Sequence, residues 1–241
     1  MKYVEKQVNR LTGQAIHRYD LLHDGDRILV AVSGGADSLV MFHLLREWQR
    51  KAPIRFSLLP CFLNMGFRHG DYWLPLREYL HESGIGFYWE GTDYGPFAHS
   101  RKNRKKSPCF FCAMRRRQRL FEIAHRFSCN KIALGHNLDD IIETFFINVC
   151  YSGEMSTMVP KQEMFQGLLT IIRPLALVEK SQVNRLSSLL KLPVIKNPCP
   201  SAGTSSRAEI RELLKTLYGK NRKIKGNIRR ALSHVRPEYL L

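Results

Sequence analysis

The chain has 241 residues, 44% of them hydrophobic, and carries 38 Lys and Arg against 21 Asp and Glu, a formal charge of +17. That length suits one sizeable α/β core with a small appendage, or two modest domains, and one main domain is the expectation. The charge exceeds what solubility requires and points to a large acidic partner, a nucleic acid ahead of a membrane surface. No apolar run is long enough to span a bilayer, Met1–Lys6 contains no signal core, and six cysteines are too few for a disulfide scaffold. The expectation is a cytoplasmic protein without membrane contact, its cysteines kept as thiols or metal ligands.

In chain order, Val4, Val8, Leu11, Ile16, Tyr19 and Leu22 recur at roughly helical spacing and predict a leading helix within 3–22. Arg27–Val32 reads as a strand, Ser33–Ser38 as a turn and Leu39–Gln49 as an amphipathic helix. Ile54–Leu63 reads as the next strand, completing a βαβ unit with parallel pairing. A helix around Trp73–Glu82, stopped at Ser83 and Gly84, leads to a short strand at Gly86–Glu90. The polar stretch Asp93–Pro108 reads as a mobile basic loop. A helix at 113–127, a strand at Lys131–Leu134 and a helix from Leu138 to Cys150 restore the alternation. The pattern predicts an α/β protein with an open parallel sheet, helices on both faces and a crevice at the strand C-termini. After Gly153 the chain is less regular, with a strand near Leu168–Ile172, a helix near Lys180–Lys191, a cysteine turn at 197–203 and helices from Ser206 onward. The expected division is an N-terminal helix (1–24), a nucleotide-binding domain (25–196) that includes a basic loop at 99–119, and a basic C-terminal helical segment (197–241).

Four constellations carry chemistry. Ser33-Gly-Gly-Ala-Asp-Ser38 lies between a strand and a helix, where Gly34 and Gly35 allow close backbone approach and the first helical N–H groups face an anion, a place for ATP. It lacks the spacing and lysine of a Walker loop. Cys109-Phe-Phe-Cys112 has no second pair or histidine pair at zinc-finger spacing, and Cys199 stands alone in the turn Asn197-Pro-Cys-Pro-Ser-Ala-Gly203. Three such thiolates suit a [4Fe-4S] cluster with one unligated iron; a reduced, unligated pair is the alternative. Cys61, Cys129 and Cys150 sit in apolar contexts and read as buried small hydrophobes. In Leu134-Gly-His-Asn-Leu-Asp-Asp140, Asp139 or Asp140 is placed to hold Mg²⁺ beside a triphosphate, with Asp37 a second candidate. Carboxylates at a helix start are also ordinary caps, and His136 is either a turn residue or a contact to ATP. Finally, His99–Phe121 contains nine Lys or Arg and no acid, and Lys220–Arg230 contains six and no acid, favouring phosphate-backbone binding.

The loop sequence resembles the PP-loop, SGGxDS, of ATP pyrophosphatases, whose fold is of the adenine nucleotide alpha hydrolase type. Together with Pro108–Cys112, Leu134–Asp140, Ile172-Arg-Pro-Leu175 and Asn197-Pro-Cys199, it resembles the tRNA 2-thiocytidine synthetases (TtcA) and the related 2-thiouridine enzymes (TtuA). The absence of terminal cysteine-rich zinc modules places it nearer the former. The resemblance implies an ATP-dependent tRNA sulfurtransferase that adenylates a pyrimidine carbonyl oxygen, the C2 oxygen of cytidine, and replaces it with sulfur. It implies Cys109, Cys112 and Cys199 as ligands of a [4Fe-4S] cluster, and Ser33, Gly34, Gly35, Asp37 and Ser38 on the ATP phosphates. Val32 and Leu63 would lie near the nucleoside, Gly135 and Asp140 beside the nucleotide and Mg²⁺, and Arg116 near the reacting centre. It further implies tRNA as partner, a sulfur donor that is either desulfurase-derived or sulfide, and a homodimer. Ala36 and Asn64 depart from the family pattern, where Lys and Asp are usual, and the late motif has one cysteine where two are common. Two other readings stand beside this one: a lysidine synthetase-like enzyme with a different nucleophile, and a non-catalytic RNA-binding iron–sulfur protein.

Overall fold

The computed structural model describes residues 3–67, 71–103, 107–196, 198–201 and 206–239. The chain divides into two compact units, one formed by Met1–Leu138 with Val159–Ala202 and the other by Asp139–Met158 with Gly203–Leu241.

The first unit is built on strands β1 (Arg27–Ala31), β2 (Ser57–Asn64), β3 (Tyr88–Gly91), β4 (Lys131–Ala133), β5 (Lys161–Met164) and β6 (Leu169–Ile172), in the order β3-β2-β1-β4-β6-β5. All neighbours pair in parallel except β5, which pairs antiparallel with β6 at one edge. Successive side chains of a strand face opposite ways, so β1 sends Ile28 and Val30 into one apolar cluster and Leu29 into the other. Helices α1 (Tyr3–Arg18), α2 (Ala36–Lys51), α3 (Leu74–Glu82) and α7 (Lys180–Leu189) supply the first cluster; α5 (Pro108–Arg126) supplies Leu120, Ile123 and Ala124 to the second. The sheet is therefore covered on both faces, as parallel sheets require.

The structure corrects the sequence reading in five places. The sheet is not wholly parallel, because β5, in the segment read as irregular, adds an antiparallel edge through the turn Phe165-Gln166-Gly167, all three at positive φ. The leading helix ends at Arg18, and Leu21 and Leu22 enter the core from a non-helical segment beyond Asp20. The stretch Asp93–Pro108 holds a short helix, α4 (Tyr94–His99), whose Gly95 and Pro96 disguised it; Pro is tolerated in a first turn. Arg104–Lys106 of that stretch lie outside the described residues. Helix α6 (Leu138–Ile147) stops short of Cys150 and widens into a π-helical turn, Asn148–Ser152, closed by Gly153. Cys150 on that turn is exposed, whereas Cys61 and Cys129 are buried.

The second unit contains α6 from Asp139 onward with α8 (Ser206–Lys220) and α9 (Ile224–Ala231). Its helices are joined by ion pairs beside the buried Ile210 and Leu214 of α8. Arg211 makes a bidentate pair with buried Glu143 at 2.7 and 3.0 Å, Arg207 reaches Asp140 at 3.3 Å, and Lys225 reaches Asp139 at 2.7 Å. Among the described residues no helix is long and apolar enough to cross a membrane.

Between α1 and α2 lies a half-open cleft of about 220 Å³ lined in part by Glu5, His43, Glu47 and Trp48. Burial pushes the His43 imidazole below its ordinary 6.5, because removal from water penalises the charged form. The fold thus favours neutral His43. That contribution to stability is complete above pH 6.5 and is lost as the pH falls through the lower folded-state value. Denaturant unfolding on both sides of that window is expected to show a smaller acid-side loss for His43→Gln than for the native chain; equal losses would contradict it.

Candidate active site

Strand β1 continues to Val32, whose N–H donates to the Cys61 carbonyl (2.9 Å), and the chain then turns into α2. The turn is closed from within by Ser38, which donates to the Gly35 carbonyl (2.9 Å) and accepts from Ser33 N–H (3.0 Å). Gly34 has φ +81°, and a Cβ there would come within 2.9 Å of Ile195, so both the left-handed backbone and the close approach call for glycine. The Ile195 N–H donates to the Gly34 carbonyl (2.8 Å), tying the segment before Cys199 to this loop. Gly35 caps α2 without a side-chain bond to its first turn, which leaves that helix end suited to an anion.

The turn after β4 packs directly on this loop. At Gly135 a Cβ would lie 3.0 Å from the Asp37 carbonyl carbon and the Ser38 nitrogen, so any side chain would push the two turns apart. Asn137 donates to Asp37 Oδ1 (2.8 Å), and Lys180 from the first turn of α7 reaches Asp37 Oδ2 (2.5 Å). His136 accepts at Nδ1 from Arg173 Nε (3.2 Å), which leaves its proton on Nε2. Arg173 is buried and also donates to the Val159 carbonyl and Gln162 Oε1. Burial draws its pKa down to about 10.

The three cysteines gather around the N-terminus of α5. Ser107 caps the helix by accepting from Phe110 N–H (3.3 Å). One turn separates Cys109 from Cys112, so both lie on one helix face. Burial raises the Cys112 pKa, and neighbouring Cys199 and Cys109 raise it further while Arg116 opposes them. Contacts to α4 bring Cys112 and Cys199 to one neighbourhood. Cys112 Sγ lies 3.7 Å from the Tyr94 carbonyl, and Cys199 Sγ lies 3.9 Å from His99 Nε2 on α4. Among the described residues no three His, Cys, Asp or Glu converge tightly enough for a single metal ion. A multi-iron cluster spreads its thiolates more widely, and three sulfurs at a positive helix end suit one. Cys61 differs, its thiol pushed up to about 12 by burial.

The sequence-named residues are therefore distributed as follows. Ser33, Gly34, Gly35, Asp37 and Ser38 follow β1, Gly135 and His136 follow β4, and the two turns meet where Gly135 packs on Asp37 and Ser38, with Gly34 and Ser38 buried. Val32 and Leu63 are buried in opposite core clusters at strand ends. Asp139 and Asp140 open α6 and pair with Lys225 and Arg207 in the second unit. Arg116, on α5 one turn beyond Cys112, keeps part of its side chain exposed, while burial about its guanidinium lowers its pKa. Of the cysteine turn, 198–201 are described; Asn197, Ala202 and Gly203 lie outside the described residues. Asn64, at the end of β2, accepts from Gly66 N–H and Tyr72 Oη, both at 3.0 Å. Sequence reasoning gave no role to Lys180 or His99, and held Asn137 and Arg173 only as members of the motifs Leu134–Asp140 and Ile172–Leu175. Lys180 did carry a signal, since a cation at the first position of a helix opposes the dipole.

A PP-loop domain family matches residues 2–69. The chain is 36% identical over 237 residues to the tRNA-cytidine(32) 2-sulfurtransferase of Citrifermentans bemidjiense, covering 98% of this chain and 92% of that one. It is 37% identical over 238 residues to the protein of the same name from Geotalea daltonii, covering 98% and 94%. Among solved structures it is similar to the U34-tRNA thiolase NcsA of Methanococcus maripaludis with its [4Fe-4S] cluster, at TM-score 0.78 and 26% identity over 97% of this chain and 80% of that one. A loop built on Gly34 and Gly135, and likeness above one third identity along nearly the whole length, lead to one statement: the chain belongs to the tRNA-cytidine(32) 2-sulfurtransferases, a PP-loop enzyme family.

Proposed function

We propose that this protein is an ATP-dependent tRNA sulfurtransferase that converts cytidine, at position 32 as in its relatives, to 2-thiocytidine. The observation that carries the reading is the gathering of Cys109, Cys112 and Cys199 in the unit that holds the phosphate loop, with Ile195 linking the two. ATP phosphates lie on the first turn of α2, among the N–H groups of Ser33–Ser38. Asp37 contributes a carboxylate to Mg²⁺, which binds through one or two carboxylates, substrate phosphates and water. Asp139 and Asp140 are the other candidates for that ion; Val32, Leu63 and His136 are assigned to the nucleotide. The C2 oxygen of cytidine attacks the α-phosphorus, a new O–P bond forms, and pyrophosphate departs with the electrons of the broken P–O bond. The carbonyl oxygen has thereby become a good leaving group. Sulfide from the donor then attacks C2, and AMP departs with the oxygen. Cys109, Cys112 and Cys199 would hold a [4Fe-4S] cluster, which would supply an iron free to bind sulfide. Arg116 adds positive charge beside that site.

The exposed cations Arg101, Lys102, Arg115, Arg116 and Arg117, and separately Lys220, Arg222, Lys223, Arg229 and Arg230 of the second unit, are suited to tRNA phosphates. Assembly as a homodimer in the cytoplasm is part of the same proposal. The test is incubation of anaerobically purified protein with unmodified tRNA, Mg-ATP and sulfide, followed by nucleoside analysis. AMP, pyrophosphate and 2-thiocytidine formed together are expected. AMP formation without sulfur incorporation would favour a lysidine synthetase-like nucleophile, and tRNA binding without AMP formation would mean a non-catalytic RNA-binding protein.

A further inference from the structure

The phosphate loop Ser33–Ser38 contains one carboxylate and no Lys or Arg. A triphosphate carries several negative charges into whatever loop receives it, and in the Walker loop, a phosphate loop of a different type, a lysine reaches the terminal phosphates. Here the tertiary fold brings two cations to the paired turns. Arg173 is buried, and its guanidinium is engaged by His136, Gln162 and the Val159 carbonyl. Lys180 differs, because 43% of its side chain faces solvent while its ammonium meets Asp37 at 2.5 Å, one residue along from Ala36. A cation at the first position of α7 opposes that helix's own dipole. The compensation comes from outside the helix, at the positive end of α2, where the Asp37 carboxylate holds it. A flexible four-carbon stem with three donors suits transfer of that charge from a carboxylate to an arriving phosphate.

We infer that Lys180 is the phosphate-binding cation of this loop: it holds the Asp37 carboxylate in the free protein and turns to the β- and γ-phosphates when ATP binds. The assignment deepens the proposed ATP-dependent function and rests on it. A lysine that merely ties α7 to α2 would affect nucleoside and nucleotide alike, whereas a phosphate ligand discriminates between them. Binding of ATP, pyrophosphate and adenosine is therefore measured by equilibrium dialysis for the native chain, Lys180→Met, Lys180→Arg and the double variant Ala36→Lys with Lys180→Met. Loss of one charge-assisted contact predicts ATP and pyrophosphate affinities about 10- to 100-fold weaker in Lys180→Met, with adenosine affinity unchanged. Lys180→Arg retains most of the affinity. The double variant regains a large part of it, because the new cation lies at the loop although the Asp37 contact from α7 is gone. Equal weakening for adenosine and ATP, or unchanged ATP binding in Lys180→Met, would overturn the assignment. Failure of the native chain to bind ATP would instead overturn the ATP-dependent reading, and the assignment with it.

Discussion

The native chain, purified without oxygen, is expected to carry about four iron and four acid-labile sulfide per chain, and Cys199→Ala is expected to lose them. Of the three proposed ligands Cys199 alone lies off α5, on a separate segment beside His99 of α4. With only Cys109 and Cys112 left, on one helix face, the third corner has no thiolate. Cys150→Ala is the control, since Cys150 is exposed on the π-helical turn of the second unit. It should leave the iron content unchanged, so that a loss in Cys199→Ala alone assigns the ligand. Iron, sulfide and visible absorption measured side by side decide the matter. Absence of iron from the native chain after anaerobic reconstitution, with its thiols free, would leave a persulfide on Cys109 or Cys112 as the sulfur carrier.

The largest loss of stability is expected from Lys131→Met. Lys131 lies on β4 with 4% of its surface exposed, and its ammonium donates to the Leu21 carbonyl (2.9 Å), contacts His23 Nδ1 (2.9 Å) and meets Asp26 Oδ2 at 2.7 Å. Asp26, 3% exposed, also accepts from Asn130 Nδ2 and the His23 backbone. Methionine fills the space of the stem but leaves a buried carboxylate without its counter-ion, a defect that costs about 3–5 kcal/mol. That is a large share of the roughly 5–15 kcal/mol that holds most domains together. Adding Asp26→Asn removes the stranded charge and should recover part of the loss. Denaturant unfolding of the three proteins checks this; a loss below about 1 kcal/mol for Lys131→Met would contradict it. The pair matters for the site because it anchors the starts of β1 and β4, the strands that end in the phosphate loop and the turn of Gly135.

Most of the sheet and its parallel order were legible because periodicity reports which face of an element is buried. β1 reads as a near-continuous apolar run since both its faces are covered, and the following SGG turn identifies the loop. The helix α4 was not legible, because Gly95 and Pro96 are loop signals locally and only packing makes a turn of helix from them. Gly95 donates to the Met65 carbonyl, and Cys112 meets Tyr94. β5 was missed for a related reason: Lys161-Gln-Glu-Met164 is a polar edge strand without alternation, and its pairing with β6 is what gives it a conformation. Cys150 was misplaced because an apolar neighbourhood in sequence does not say which side of a helix end faces water.

Local chemistry determined by itself that this chain has a phosphate loop, a cysteine pair at a helix start and two basic runs, since each needs only adjacent residues. Partnership between distant residues was decided only by the tertiary structure. The Lys180–Asp37 contact spans 143 positions and the Cys199–His99 contact 100. No period or motif encodes such distances, because they arise when parallel strands with crossover helices bring their C-terminal turns to one edge of the sheet. The same closure placed Gly135 against Asp37 and Ile195 against Gly34, converting separate turns into one site.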